Sequence, residues 1–258
     1  MAKFAANLTM LFTEVPFLER FEQAHRAGFK AIEFLFPYAY EPHVLAEKLT
    51  QYGFEQALFN MPPGDWDAGE KGFAALPGRE QVFKQSVATA LMYAQALNCK
   101  KVHAMSGIID PAYSMQQHIE TFIANIRYAA DTFAEHGIDV LIEPLNTRDV
   151  PNYFVAHQRR AVELIQMVDR PNVKLQLDLY HAQIMEGDLD VLIRDLAPFT
   201  GHIQIASVPH RHEPSDGEIN YPYLFDVLDD SGYDGWIGCE YKPKTTTEQG
   251  LAWVKPYL

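Results

Sequence analysis

Val140-Leu141-Ile142-Glu143-Pro144-Leu145-Asn146 is an apolar run that closes abruptly on a carboxylate and a proline. Proline has no amide hydrogen to give to a sheet ladder, so the strand stops there and leaves Glu143 at its carboxyl end, where the chain turns into a loop. Just upstream, residues 115–135 place Ile119, Phe122, Ile123, Ile126 and Ala130 on one helical face, and His136-Gly137 ends that helix before the strand begins. The same junction recurs at Ala27-Gly28-Phe29, Tyr52-Gly53-Phe54 and Ser231-Gly232-Tyr233. Each is a helix end, a glycine, and an apolar residue entering the next strand.

Working outward from that unit, strands are expected at residues 4–12, 31–36, 56–60, 101–105, 139–143, 173–178, 202–207 and 236–241. Helices are expected at 17–27, 42–52, 79–97, 115–135, 158–168, 189–196 and 221–228, with a closing helix in the tail from Thr246. Strand and helix alternate about eight times, which predicts an α/β fold with a parallel sheet and helices outside it. Eight units in 258 residues match a closed (β/α)8 TIM barrel, one domain over residues 1–258. A doubly wound open sheet would favour a Gly-rich phosphate fingerprint after the first strand, and none is present. The long loop at 61–78 is rich in Gly, Pro and Asp and carries Trp66 and Glu70, so it is expected to act as a lid over a pocket.

Apolar residues make up 48% of the chain and charged residues 21%, ample for a buried core. The net charge of -13 opposes binding to a polyanion, because nucleic-acid affinity rests on clustered Lys and Arg. No run approaches a membrane span or a signal-peptide core, and Cys99 and Cys239 read as two buried thiols in a reduced, cytoplasmic protein.

Glu143 is one of four oxygen-bearing side chains at the ends of four successive strands; the others are Asp178, Gln204 and Glu240. In a TIM barrel the carboxyl ends of the strands converge on the active site, so these four meet although they are far apart in sequence. Three carboxylates in one pocket repel one another unless something neutralises them. A hard divalent cation, Mg²⁺ or Mn²⁺, suits an all-oxygen set.

Ile142-Glu143-Pro144-Leu145-Asn146, Leu177-Asp178-Leu179-Tyr180-His181, His202-Ile203-Gln204-Ile205-Ala206, Gly217-Glu218-Ile219-Asn220-Tyr221 and Gly238-Cys239-Glu240-Tyr241 resemble the xylose-isomerase-like TIM barrels, and within them the hydroxypyruvate isomerase family. Residues 60–66 (Asn-Met-Pro-Pro-Gly-Asp-Trp) and 209–214 (Pro-His-Arg-His-Glu-Pro) are similar to the same family. The resemblance implies interconversion of keto and aldehyde forms of small hydroxy acids, hydroxypyruvate with tartronate semialdehyde, or the sister conversion of 2-oxotetronate to 3-oxotetronate. It implies an acid/base pair on Glu143 and Glu240 and a metal site on those two plus Asp178 and Gln204. Relatives acting on larger sugars often carry histidine where this chain has Gln204.

His181, three residues past Asp178, is placed to bind or polarise a substrate oxygen, and His210, Arg211 and His212 follow the seventh strand, where Arg211 can meet a carboxylate bidentately. Arg148 and Asp149, after the fifth strand, are weaker candidates, and His103 reads equally well as a core histidine. Trp66 and Glu70 are expected to close the pocket over a labile enediol. The competing functions are ketose epimerisation on the same residues, an AP-endonuclease-like phosphodiesterase, and a non-catalytic binding barrel.

Overall fold

Helix termination sets the rhythm of the chain. In the computed structural model, which describes residues 2–258, Gly28 (φ 104°) and Gly53 (φ 67°) stand in the left-handed region at the ends of α1 (Phe17–Ala27) and α2 (Pro42–Tyr52). Glycine takes this conformation without a Cβ clash, and it turns the chain directly into a strand.

The strands are β1 (Lys3–Asn7), β2 (Ala31–Glu33), β3 (Glu55–Asn60), β4 (Lys101–His103), β5 (Asp139–Ile142), β6 (Val173–Asp178), β7 (Thr200–Ile205) and β8 (Trp236–Cys239). They pair in sequence order, all parallel, and β8 returns to β1 to close a barrel. The further helices are α3 (Glu80–Ala96), α4 (Met115–Ala134), α5 (Gln158–Val168), α6 (Leu179–Met185), α7 (Leu189–Leu196), α8 (Tyr221–Asp230) and α9 (Thr247–Gly250). Outward-facing strand residues such as Phe4, Ile32, Phe59 and Val140 join the helices' apolar faces in one core. Each fully buried large side chain there stabilises the fold by roughly 1.5–3 kcal/mol. Phe4 meets Phe225, Trp253 and Tyr257 edge-on at 5.1–5.2 Å, which docks the C-terminal tail on β1.

Inside the barrel the alternation of strand side chains gives a different layer. Ala5, Ala31 and Ala57 with Trp236 fill the amino-terminal end. Two residues further along these strands the interior turns polar. Glu33 Oε1 accepts from Asn7 Nδ2 (2.9 Å) and Gln204 Nε2 (2.8 Å), Glu33 Oε2 lies 2.7 Å from His202 Nε2, and Gln204 Oε1 accepts from Gln176 Nε2 (2.6 Å). All five side chains are buried. The site rests on this polar floor.

Several elements differ from the sequence-based expectation. β1 ends at Asn7 rather than at residue 12, because Asn7 Oδ1 and its carbonyl accept from Thr9, Met10 and Leu11 and make a turn. β2 ends at Glu33. The tail is a four-residue helix followed by two 3₁₀ turns. α6 was not anticipated; Asp178 caps it by accepting from the Tyr180 amide at 2.8 Å. No helix among the described residues is long and apolar enough to cross a membrane.

Candidate active site

Glu143 follows β5, Asp178 ends β6, and Glu240 follows β8, so all three carboxylates stand at the carboxyl mouth of the barrel, where they are at most 5% exposed. Of the residues singled out from the sequence, Glu143, Glu240, His181, Arg211, His210 and Trp66 line one cleft of about 550 Å³. Arg148 and Asp149 line it as well.

Among the described residues, Arg211 is the one guanidinium paired with these buried acids. Its Nη2 lies 2.5 Å from Glu240 Oε2 and 3.6 Å from Asp178 Oδ2. Its backbone is held by bonds at both ends: its amide donates to the Ser207 carbonyl (2.8 Å), and its own carbonyl accepts from Lys242 (2.8 Å). Burial alone would lower its pKa, but Glu240, Asp178 and Glu143 more than offset this and raise it.

His103 and His181 add no charge. Burial pushes His103 down to about 3 and His181 well below its ordinary value. His103 Nδ1 sits 3.3 Å from Glu143 Oε2, so His103 belongs to the site's wall rather than to the remote core. His181 Nδ1 accepts from the Asn146 amide (3.1 Å) and from Asn146 Nδ2 (2.7 Å). The neutral ring therefore carries its proton on Nε2, which lies 3.5 Å from Asp178 Oδ2 and 3.9 Å from Glu143 Oε1.

Three carboxylates and one guanidinium leave two negative charges uncompensated in a desolvated pocket. Protons supply part of the answer. Burial raises all three acids: Glu240 to about 8, Asp178 to about 6, and Glu143 well above its usual value, with Glu240 and Asp178 adding to the last. A divalent cation supplies the alternative. Glu143 Oε1 and Asp178 Oδ2 are buried without a hydrogen-bond partner, and Glu143, Asp178 and His181 each offer an atom within 4.8 Å of the others. The two carboxylates fit a hard ion. His181 fits less well, since its Nε2 carries the proton and acts as a donor, not a ligand.

The expected fourth ligand has other partners. Both amide atoms of Gln204 are engaged, by Gln176 and Glu33 in the polar floor. Glu240 is held by Arg211. Glu70 is not brought to the cleft: its carboxylate pairs with Arg79 (2.9 Å) and accepts from the Asp65 amide (2.7 Å), bracing the 61–78 loop from outside. Lys71, which the sequence reading passed over, lines the cleft in its place. His212 turns its Nδ1 to the Lys242 carbonyl (2.9 Å) and supports the Arg211 loop.

Fold and site together define a xylose isomerase-like barrel with an acid-lined mouth. The chain belongs to the xylose isomerase-like TIM barrel family, whose model matches residues 21–257. It is an isomerase by its relatives. It is 53% identical over 258 residues to a 2-oxo-tetronate isomerase of Pectobacterium atrosepticum (100% of this chain, 98% of the relative) and 48% identical over 257 residues to the hydroxypyruvate isomerase of Escherichia coli (100% of both). Among solved structures, one described as an AP endonuclease, family 2, from Brucella melitensis superposes with a TM-score of 0.98 at 59% identity, covering 100% of this chain and 99% of that one.

Proposed function

We propose that the chain moves a proton between C3 and C2 of a small 2-keto-3-hydroxy acid, converting 2-oxotetronate to 3-oxotetronate, with hydroxypyruvate and tartronate semialdehyde as the three-carbon counterpart. The observation that carries this is the pairing of Glu143 and Glu240 on one cleft, each near-buried and raised in pKa, above the buried polar layer of Glu33 and Gln204. Raised carboxyls suit proton exchange with carbon at neutral pH, because the proton is neither held too tightly nor already lost.

One glutamate takes the C3 proton, and the electron pair forms the C2–C3 double bond of an enediol. The other returns a proton to C2 as the C3 hydroxyl gives up its proton and becomes a carbonyl, while the C2 oxygen takes up a proton and becomes the new hydroxyl. The two exchange roles when the reaction runs backward. His181 Nε2–H is placed to donate to a substrate oxygen as charge develops there. Arg211 holds Glu240 and offsets charge across the acids. Mg²⁺ or Mn²⁺ held by Glu143 and Asp178, with Glu240 and Gln204 joining after release from Arg211 and Gln176, would polarise the substrate carbonyl.

The cleft has room for four carbons, and the Pectobacterium relative is named for that substrate. The Brucella description would instead place a DNA phosphodiester here, but a chain of net charge -13 with three buried acids at the mouth repels it. The test is a side-by-side assay of 2-oxotetronate and hydroxypyruvate with Mg²⁺ or Mn²⁺ in deuterated water, read by NMR. Label entering C2 of the product supports transfer between carbons. Label entering C3, the carbon that lost its proton, with the ketone kept at C2, would identify an epimerase instead.

A further inference from the structure

The acids occupy the β5, β6 and β8 side of the mouth, and the substrate proposed above brings a carboxylate of its own. That group is repelled by Glu143, Asp178 and Glu240 and needs a cation elsewhere on the wall. The cations lining the cleft are not equally free. Arg211 is bound to Glu240 and Asp178. Arg148 reaches the Tyr180 hydroxyl (3.4 Å) and the Pro209 carbonyl (3.3 Å) and lies 3.8 Å from Asp149. Lys242 is exposed and keeps its water.

Lys71 differs from all of these. It lies on the loop after β3, across the mouth from the acids, and lines the same cleft. It is half-buried and, among the described residues, forms no ion pair, although the charge of nearby Asp67 acts on it. Its Nζ sits over the Trp66 ring, 3.3 Å from the centroid, and also donates to the Trp66 carbonyl at 3.3 Å. Trp66 in turn rests on Phe36, ring centres 5.1 Å apart. The backbone is fixed on both sides. Glu70 is tied to Arg79, while Gly72 bridges to Ser106 beyond β4 and donates to the Pro63 carbonyl at 2.8 Å. A Cβ at Gly72 would come within 2.3 Å of the Met105 carbonyl oxygen, so only glycine lets this loop lie against the barrel rim.

From this geometry we infer that Lys71, held on Trp66, is the carboxylate subsite of the cleft, and that it selects hydroxy-keto acids over uncharged sugars of the same length. The inference rests on the function proposed above, and it specifies which end of the substrate faces away from the glutamates. Partial desolvation sharpens the subsite, since an ammonium stripped of some water gains more from an incoming anion.

The experiment compares wild type, Lys71→Met, Lys71→Arg and Lys242→Met, all with Mn²⁺ present. It measures KM and kcat on 2-oxotetronate and hydroxypyruvate. It also measures calorimetric binding of glycerate, which has the carboxylate and hydroxyl but no ketone to react. Lys71→Met is expected to raise KM and weaken glycerate binding on the order of tenfold to a hundredfold, the worth of a hydrogen bond to a charged group, with kcat little changed and with most of the loss recovered in Lys71→Arg. Glycerate bound equally well by wild type and Lys71→Met overturns the subsite, as does a loss of this size in Lys242→Met alone. If wild type binds glycerate through Lys71 yet isomerises neither acid, the proposed reaction fails and the subsite stands.

Discussion

The carboxylate of Glu33 occupies the space a side chain on Gly238 would need: a Cβ there would lie 2.3 and 2.4 Å from its two oxygens. Gly238 pairs with Gln204 across the β7–β8 ladder, and Gln204 donates to Glu33, so the absence of a side chain on β8 is what lets a β2 acid reach across the barrel. Gly238→Ala is therefore expected to displace Glu33 from Asn7, His202 and Gln204 and to destabilise the protein by about 1–3 kcal/mol, as overpacking does. Urea midpoints measure it. In a double-mutant cycle with Glu33→Ala the two effects should fall short of additive, because removing the carboxylate relieves the clash. Strict additivity would mean that the two residues do not compete for the same space.

Glu143→Gln and Glu240→Gln keep the shape of the side chain while removing the charge and the exchangeable carboxyl. Each is expected to lower kcat by roughly 10² to 10⁴, with the fold intact by circular dichroism. Glu240→Gln also frees Arg211, so its KM should change as well, whereas Glu143→Gln should act mainly on kcat. Full turnover in either purified variant would remove that residue from the proton-transfer pair.

His181 and Asp178 make separable predictions about metal. His181 Nδ1 is committed to accepting from Asn146, so its Nε2 proton excludes it from ligation, while Asp178 Oδ2 is a buried oxygen without a hydrogen-bond donor. His181→Gln should leave Mn²⁺ affinity within the roughly ten- to hundredfold expected of an indirect neighbour and lower kcat. Asp178→Asn should lose binding by more than that. Manganese titration followed by electron paramagnetic resonance distinguishes them, and equal losses would make the histidine a ligand after all.

The sequence made Glu143, Asp178 and Glu240 visible because each is an acid that closes an apolar run, a signal carried by a few adjacent residues. Glu33 closes Ala31-Ile32 in the same way, but Phe34-Leu35-Phe36 continues the apolar run and hides the strand's end. The partners of Gln204 were hidden for a different reason. Glu33 is 171 residues away, and the contact depends on a missing Cβ on a third strand. Lys71 and Glu70 are adjacent, and which of them faces the cleft is decided by the Gly72 bridge to Ser106 and the Glu70 pair with Arg79, both long-range facts. α6 is only seven residues long, and reading Asp178 as a ligand obscured its part as a helix cap.

Stability against pH follows from the same buried groups, and the directions can be set out one by one. Glu240, raised from 4.5 to about 8, and Asp178, raised from 3.8 to about 6, bind protons more tightly folded than unfolded. Their contribution is complete below the unfolded values and is lost as pH rises through the folded ones. His103, lowered from 6.5 to about 3, works in the opposite direction, and its contribution is complete above 6.5 and lost as pH falls toward 3. Without divalent ions the thermal midpoint should therefore peak between 3.8 and 4.5, where the histidine gain and the first carboxyl loss cancel, and decline overall as pH rises from 4.5 through 8. Mn²⁺ competes with protons for these carboxylates, so its stabilising effect should grow with pH and flatten the alkaline decline. Melting curves in a chelator and in Mn²⁺ at several pH values between about 3 and 9 test this, since the proton-linked range is set by the acid and histidine values. A metal-free midpoint that stays flat or rises from pH 4.5 to 8 would show that these acids ionise in the folded protein as easily as in water, and with that the charge argument for a cation would lose its basis.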